Sequence, residues 1–322
     1  MLIIRADEHG GPEVLHPVTT ADPEPAAGQV LVDLVWSGVL SLDTLLRRGA
    51  VPPSFTVEFP WTPGQGGAGV VTAVGDQVDQ HWLGRRVLVD DQGSYVERMA
   101  TGVDRLIPVP DEVELDQAMA LLHDGGTALG LLTTAIEESA DPQVVAIMPA
   151  AGGAGSILVQ LAQRRGDHVV AVVGGPQKAD LARSLGAEVV LDHHDGRWLD
   201  QLAAVQPSVI FDGVGGADAS ALPATVRPGG SYLNYGNAGG DFAGDLSGIA
   251  ARAGIRAIGG EILGRLAAGR RERQLRILQR AADGEIRAHI GGRYPLAEAA
   301  EAHRALAGRA VAGKLLLDCR TS

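Results

Sequence analysis

The stretch Val144–Gly166, which reads VVAIMPAAGGAGSILVQLAQRRG, constrains the fold more than any other part of the chain. Val144–Met148 is apolar and rich in β-branched residues, which predicts a strand buried on both faces. A block of small residues follows, and Ser156–Arg165 then has the apolar spacing of an amphipathic helix, which Gly166 ends. A strand, a glycine turn and a helix in this order begin a dinucleotide-binding βαβ unit.

The glycine turn departs from the G-x-G-x-x-G pattern, because Ala150 occupies the first glycine position. A glycine pattern alone is weak support, but the strand before it and the helix after it supply the required context. The helix N-terminus would then present N–H groups and a positive dipole end to a pyrophosphate. Val144–Gln163 carries no charge, so a membrane-spanning helix is an alternative interpretation of this segment. Pro149 and the glycines would interrupt such a helix.

The end of the next predicted strand, His168–Val173, indicates which cofactor is bound. An NAD site places Asp or Glu there to bind the ribose 2′-hydroxyl, whereas this chain has Gly174 and Gly175, followed by Lys178. A cation in place of an anion suits a 2′-phosphate, which predicts NADPH. The alternative is that Lys178 only lies on the solvated first turn of the following helix.

Composition narrows the class of protein. A net charge of −12 over 322 residues argues against nucleic acid or an anionic membrane as a partner. One cysteine, Cys319, excludes an intramolecular disulfide and suggests a reducing compartment. The N-terminal MLIIRADEHG has no export signature, so we expect a cytoplasmic protein that acts on a small molecule.

Short apolar runs alternate with helical lengths in residues 123–258, which predicts a doubly wound parallel sheet with its cofactor at the carboxyl ends of the strands. The expected strands are Val144–Met148, His168–Val173, Val189–Leu191, Val209–Phe211, Ser231–Tyr235 and Ile255–Ile258. Glycine-rich turns, Phe211–Gly216 and Tyr235–Gly240, follow the fourth and fifth strands and are expected to line the nicotinamide end of the site.

Residues 1–122 predict a mostly β domain with a short helix at Ser41–Arg48, for which Ser41 is the expected N-cap. A helix is expected at Arg271–Asp283, with Leu275, Leu278 and Ala282 on one face, another at Leu296–Leu306, and a strand at Lys314–Cys319. These elements are too few for a third domain. We therefore expect residues 259–322 to complete the first domain.

The chain resembles the medium-chain dehydrogenase/reductase superfamily, and within it the zinc-independent quinone oxidoreductases related to zeta-crystallin. Ordered motifs over nearly the whole length carry the resemblance: PGQGGAGVVTAVG at Pro63–Gly75, GGTAL at Gly125–Leu129, AAGGAG at Ala150–Gly155, PQKADLARSLGAEVV at Pro176–Val190, YGNAGG at Tyr235–Gly240, and the C-terminal YPLAEAAEAHRAL and VAGKLLL. It implies an α/β protein, with a Rossmann doubly wound parallel sheet inserted in a GroES-like, mostly β catalytic domain, an active site in the cleft between them, and a homodimer.

The resemblance also implies a set of cofactor-binding residues: Thr127, Ala151, Gly152, Gly153, Ala154, Gly175, Lys178, His193, Val214, Gly236, Asn237 and Lys314. In such a site Thr127 lies near the nicotinamide carboxamide and Asn237 beside the nicotinamide ribose. Gly175 and Lys178 lie near the 2′-phosphate. His193 stands where relatives often have a tyrosine beside the adenosine phosphate, although a plain loop histidine is the slightly favoured interpretation.

At several places the chain departs from the family pattern, and these departures affect the expected metal content and the expected substrate. Zinc-dependent relatives have a cysteine and a His-Glu pair where this chain has Gly38–Leu40 and Gln65–Gly66, which predicts chemistry without zinc. Quinone reductases usually have asparagine at Leu40 and tyrosines near Leu45 and Val51, so the pocket here is expected to be more apolar.

Three residues are candidates for a catalytic role: Asp43, His123 and Thr127. For Asp43, the favoured role is to balance the dipole of its helix. For His123, a position in the active-site cleft and a structural position at a helix end are equally favoured. The predicted function is hydride transfer from NADPH to a quinone or an α,β-unsaturated carbonyl. The alternatives are an enoyl-thioester reductase of a biosynthetic pathway and a cofactor-binding protein without turnover.

Overall fold

The computed structural model describes residues 1–50, 57–136, 141–240, 242–244 and 246–320. Its strands are β1 Leu2–Arg5, β2 His16–Thr19, β3 Gln29–Val39, β4 Gly67–Val74, β5 Arg86–Val89, β6 Arg98–Gly102, β7 Leu106–Pro108, β8 Val144–Met148, β9 His168–Val173, β10 Val189–Asp192, β11 Val209–Asp212, β12 Ser231–Asn234, β13 Arg256–Ile258, β14 Ile290–Pro295 and β15 Lys314–Asp318. Its α-helices are α1 Ser41–Arg48, α2 Leu115–Leu122, α3 Asp124–Ile136, α4 Gly153–Arg165, α5 Pro176–Ser184, α6 Trp198–Val205, α7 Ser247–Ala253, α8 Ile262–Ala267, α9 Arg270–Ala282 and α10 Ala299–Ala307.

The chain divides into two compact units, which we call unit 1 (Met1–Leu122 with Leu278–Ser322) and unit 2 (His123–Ile277). The first boundary coincides with the one expected from the sequence. The second lies inside α9, so the expectation that residues 259–277 complete the first domain is wrong. The physical reason is packing within unit 2, where Leu266 of α8 is buried and lies against Gly130 of α3.

Unit 2 contains the predicted doubly wound sheet. Its strand order is β10-β9-β8-β11-β12-β13, and every neighbouring pair is parallel. Val169–Val173 are all buried, as expected for a strand covered on both faces. Two strands extend one residue beyond the prediction, to Asp192 and Asp212, and both carboxylates prove to be important at the carboxyl edge of the sheet.

Unit 1 is mostly β, as expected. Its larger sheet has the order β14-β15-β3-β4-β5-β7, with β6 also pairing with β3. Val30, Val32 and Leu34 of β3 contribute to one hydrophobic core of this unit, and Trp36 of the same strand contributes to another. The long strand β3 therefore supports both cores.

Three local predictions in or next to unit 1 need correction. The N-cap of α1 is Leu40 rather than Ser41, because the Asp43 side chain reaches back and accepts the Leu40 N–H. In α9, Leu278 of the predicted apolar face is buried and Ala282 packs against the same core, as expected, whereas Leu275 is 44% exposed and Ile277 is buried instead. Leu296–Glu298 forms a 3-10 turn before α10 rather than the first turn of one helix.

Within the described ranges, every helix is too short or too polar to cross a bilayer.

Candidate functional site: a glycine-lined nucleotide edge

The turn between β8 and α4 requires small residues because the backbone folds back tightly on itself. A Cβ on Gly155 would lie 2.0 Å from the Pro149 carbonyl oxygen, and one on Gly152 would lie 3.3 Å from it. Gly152 is the N-cap of α4, with extended backbone, and the half-buried Ala154 follows in the first turn. The first N–H groups of a helix lack intrahelical acceptors, so this turn can bind an anion closely.

Asp124 lies beside this turn and was missed by the sequence analysis. Its Oδ2 atom is 2.1 Å from the position that a Cβ on Gly153 would occupy, so a side chain there would require the Asp124 carboxylate to move. Asp124 begins α3, where a carboxylate stabilises the positive end of the helix dipole. The sequence carried a partial signal, since Asp is common at the start of a helix.

The adenosine end of the predicted site lies where β9 and β10 end side by side. Gly175 has a φ of 86° and donates its N–H to Asp192 Oδ2 at 3.2 Å. A Cβ on Gly174 would lie 2.7 Å from His193 Nε2. The half-buried Lys178 is in the first turn of α5, and its charge acts on His193. The structure thus brings Gly175, Lys178 and His193 together, and their contacts with the cofactor stay a prediction.

Protonation at this end depends on burial and on three neighbouring groups. Burial, and then the charge of His194, lower the pKa of His193, while Asp192 opposes this effect and Lys178 adds to it. The backbone N–H of His194 holds the pKa of Asp192 below its usual range. His194 Nδ1 also lies 3.1 Å from Asp192 Oδ1. Neither Asp192 nor His194 was identified from the sequence.

The glycine turns after β11 and β12 pack against each other, and their expected place at the nicotinamide end of the site stays a prediction. A Cβ on Gly236 would lie 2.5 Å from the Gly213 carbonyl oxygen, and the Tyr235 ring covers Gly213. Gly239 donates its N–H to the Val214 carbonyl at 2.6 Å. A side chain on Gly213 or Gly236 would therefore push the two turns apart.

Asp212 is the residue that fixes the first of these turns. Its Oδ1 atom accepts the N–H groups of Val214 and Gly215 at 2.8 and 3.0 Å. Its Oδ2 atom accepts the Tyr232 hydroxyl at 2.6 Å and an Asn234 amide N–H at 3.2 Å. Burial raises the pKa of Asp212, and these hydrogen bonds oppose that shift. The Asp-Gly pair after a strand indicates a turn, but only the tertiary structure supplies Tyr232 and Asn234.

The second turn is held by Asn234, whose Oδ1 atom accepts the Ala243 N–H at 2.8 Å and whose amide donates to the Gly236 carbonyl at 2.9 Å. The predicted residue Asn237 lies in the same turn, half-buried, and its carbonyl accepts the Gly240 N–H at 2.9 Å. Asn234 therefore positions the loop, and the place of Asn237 beside the nicotinamide ribose stays a prediction.

His123 and Thr127 lie on neighbouring turns at the start of α3. The Thr127 N–H donates to the His123 carbonyl at 2.9 Å, and the Thr127 side chain is half-buried. His123 Nδ1 is 2.9 Å from Arg270 Nη2. Because a guanidinium only donates, Nδ1 must be the acceptor, which leaves the proton of the neutral ring on Nε2.

Asp43 lies in unit 1 and has the contacts of a structural carboxylate. It is fully buried and accepts hydrogen bonds from the N–H of Leu40 at 2.9 Å and of Gly64 at 3.2 Å, from the Gln65 amide at 3.3 Å and from the Tyr95 hydroxyl at 3.4 Å. Burial raises its pKa to about 6, against these hydrogen bonds and the charge of Lys314. This geometry supports the helix-end role that the sequence favoured.

The Asp43 site continues inward through a second buried pair. The Tyr95 hydroxyl is 3.0 Å from His303 Nε2, and both side chains are fully buried. Burial, and then the nearby charge of Arg47, lower the pKa of His303 to about 3, so its ring is neutral. No local pattern in the sequence indicates that residues so far apart in the chain would meet.

Lys314 begins β15 in unit 1 and is almost fully buried. Its Cε atom is 3.3 Å, and its Nζ atom 3.8 Å, from the place of a Cβ on Gly38. Its role in cofactor binding stays a prediction. Leu40 and Leu45 are half-buried at the start and in the middle of α1, whereas Val51 lies outside the described residues.

The donor set of unit 1 does not fit a catalytic zinc ion. Gly38, Leu40 and Gly66 offer no side-chain ligand, and the Gln65 amide is bonded to Asp43. Across the described ranges, no three His, Cys, Asp or Glu side chains are grouped so that they could hold a metal. We therefore derive no step through zinc.

Family models match both parts of the chain. Residues 26–111 match the model described as the alcohol dehydrogenase GroES-like domain, and residues 185–317 match the one described as zinc-binding dehydrogenase. With the doubly wound sheet of unit 2 and the mostly β unit 1, these matches define a medium-chain dehydrogenase/reductase, which is an oxidoreductase enzyme.

Individual relatives narrow the family. A quinone oxidoreductase of Pseudomonas aeruginosa is 32% identical over 323 residues, covering 96% of this chain and 97% of the relative. A probable quinone oxidoreductase of Schizosaccharomyces pombe is 30% identical over 333 residues, covering 99% and 97%. The Escherichia coli quinone oxidoreductase, solved in complex with NADPH, superimposes with a TM-score of 0.88 at 27% identity and covers 99% of this chain and 100% of that one. The chain belongs to the zinc-independent quinone oxidoreductase family.

Proposed function

We propose that the protein binds NADPH on the carboxyl edge of the unit 2 sheet and reduces quinones. The observation that carries this proposal is the pairing of the tight β8–α4 turn with a β9 end that has glycines and Lys178 in place of an acid. The turn suits the pyrophosphate, and the cation suits a 2′-phosphate. The NADPH complex of the Escherichia coli relative supports the same cofactor.

The residues that would hold the cofactor follow from this placement. Ala151, Gly152, Gly153 and Ala154 would contact the pyrophosphate, and Gly175 and Lys178 the 2′-phosphate. Thr127, Val214, Gly236 and Asn237 would lie around the nicotinamide and its ribose. Asp212 and Asn234 would act through the backbone, because they fix the two turns that carry these groups.

Quinones are favoured as substrates because neither of the two candidate proton donors, Asp43 and His123, is well suited to give up a proton. NADPH supplies a hydride when bound, and one proton completes the two-electron reduction. A quinone accepts hydride without a strong acid, since its ring stabilises the resulting anion, and water then supplies the proton. The Asp43 oxygens already accept four hydrogen bonds, and His123 has only its Nε2 proton to give.

A panel of acceptors tests the substrate class. We expect NADPH oxidation in the presence of small quinones, with weaker activity on simple enones, because an enone needs a proton at the carbon next to the carbonyl. Activity confined to α,β-unsaturated thioesters would favour the alternative, an enoyl-thioester reductase, for which the apolar Leu40 is the supporting observation. The homodimer and the cytoplasmic location stay predictions.

Substitution of Lys178 tests the cofactor assignment. A hydrogen bond between charged groups is worth about 1.5–3 kcal/mol, so Lys178→Ala should weaken NADPH binding about 10- to 100-fold and leave NADH binding nearly unchanged. Arg183→Ala is the matched control, because Arg183 lies on the same helix but is exposed and paired with Asp180. Equal losses for the two nucleotides would remove the role assigned to Lys178.

A further inference from the structure

Two histidines meet at the end of β10, where the 2′-phosphate is proposed to bind. The rings of His193 and His194 are 4.1 Å apart between centroids, and both side chains are exposed. His193 Nε2 and His194 Cε1 lie 2.7 and 3.1 Å from the place of a Cβ on Gly174. Both rings therefore cover the glycine turn that separates β9 from the cation of Lys178.

The charged groups around His193 come from two elements. The loop after β10 contributes Asp192 and His194, and the first turn of α5 contributes Lys178. The Gly174–Gly175 turn has no charged side chain. Asp195, the next acid along the loop, accepts hydrogen bonds from the Arg197 N–H and the Gln201 amide instead.

We propose that His193 and His194 make the choice between NADPH and NADH depend on pH, with the preference for NADPH increasing as the pH falls from 8 to about 6. This inference rests on the proposed function. It assigns His194 to the site and gives the histidine pair a role in specificity that Lys178, charged throughout this range, does not have.

The effect follows from linkage between proton and phosphate binding. Partial burial of the ring and the neighbouring positive charges hold the pKa of His193 below its usual range in the free protein, so the ring is neutral in neutral solution. A phosphate dianion next to the ring favours the imidazolium, which means that NADPH binding takes up a proton and strengthens as the pH falls. The second pKa of a phosphate monoester is about 6, so the gain ends near that pH. NADH has no 2′-phosphate and no such linkage.

Dissociation constants for NADPH and NADH, measured between pH 6 and 8 at constant ionic strength, test the inference. A charge-assisted hydrogen bond is worth about 1.5–3 kcal/mol, part of which is lost as the phosphate protonates. We expect the ratio of the NADH to the NADPH dissociation constant to rise about 3- to 10-fold from pH 8 to 6. Calorimetry in two buffers should show more proton uptake for NADPH than for NADH.

The double variant His193→Gln, His194→Gln should abolish the rise, and His193→Gln alone should remove most of it. His168→Gln is the control, because His168 is an exposed histidine at the opposite end of β9, paired with Glu188 at 2.9 Å, and its loss should leave the rise intact. A ratio that is flat in the natural protein, or a rise that persists in the double variant, overturns the inference while leaving NADPH binding in place. Absence of saturable NADPH binding at every pH would overturn the proposed function as well.

Discussion

Replacement of Asp43 by asparagine should change the free energy of unfolding by an amount that depends on pH. Asp43 is fully buried, and its pKa is raised from 3.8 to about 6 in the folded protein. Folding therefore binds a proton in the window between these two values. The contribution of this residue to stability is fully present below about pH 3.8 and is lost as the pH rises through about 6.

The magnitude follows from the shift of about two pKa units, because each unit corresponds to 1.36 kcal/mol. The full change is about 3 kcal/mol, of which about 2 kcal/mol falls between pH 4.5 and 7.5. Asp43→Asn also has a constant cost, since its amide N–H group would face the N–H of Leu40 or the hydroxyl of Tyr95. The variant should thus be least stable relative to the natural protein at low pH, and the gap should narrow by about 2 kcal/mol at pH 7.5.

Urea unfolding of both proteins at a series of pH values, followed by tryptophan fluorescence, measures this gap. Titration of all other groups is common to the two proteins and cancels in the difference. A constant gap for Asp43→Asn between pH 4.5 and 7.5 would refute the reasoning.

Two further predictions concern unit 2. Gly155→Ala, whose Cβ would lie 2.0 Å from a backbone oxygen, should weaken NADPH binding at least about tenfold and destabilise the protein by about 1–3 kcal/mol, as judged by titration and urea unfolding. Gly196→Ala, where a Cβ meets nothing within 4 Å, should change neither, and equal effects of the two would contradict the close-packing argument. Tyr232→Phe removes a 2.6 Å hydrogen bond to the Asp212 carboxylate and should cost about 1.5–3 kcal/mol of unfolding free energy; a cost below about 0.5 kcal/mol would show that the bond does not support the turn.

The sequence was sufficient to predict the elements whose pattern is local. The β-branched run Val144–Met148, the glycines after it and the spacing of Ser156–Arg165 all lie within one short segment, and β8, the turn and α4 form there. The strand His168–Val173 is likewise predicted without error, because a strand buried on both faces is a continuous apolar run. The parallel sheet follows, since such strands alternate with helices.

Predictions that depend on distant contacts were less successful. Periodicity alone placed Leu278 correctly on the buried face of α9 but also placed the exposed Leu275 there, because the choice between neighbouring residues depends on how the helix packs. The return to unit 1 at Leu278 depends on the burial of Leu266 against Gly130, more than a hundred residues earlier in the chain. The N-cap of α1 depends on which way the Asp43 side chain turns.

The sequence by itself determined the order of strands and helices, the glycine turn at Gly152–Gly155 and the absence of zinc ligands at Gly38 and Gln65, because these are properties of residue type and short-range spacing. Only the tertiary structure decided which polar groups are buried together. Tyr95 and His303 are separated by 208 positions in the chain yet lie 3.0 Å apart. The pairing of His193 with Gly174, and of Asp212 with Tyr232, likewise arises from strands that are neighbours in the sheet. Long-range packing fixes these contacts, and they set the charge of the side chains that the proposed chemistry and stability depend on.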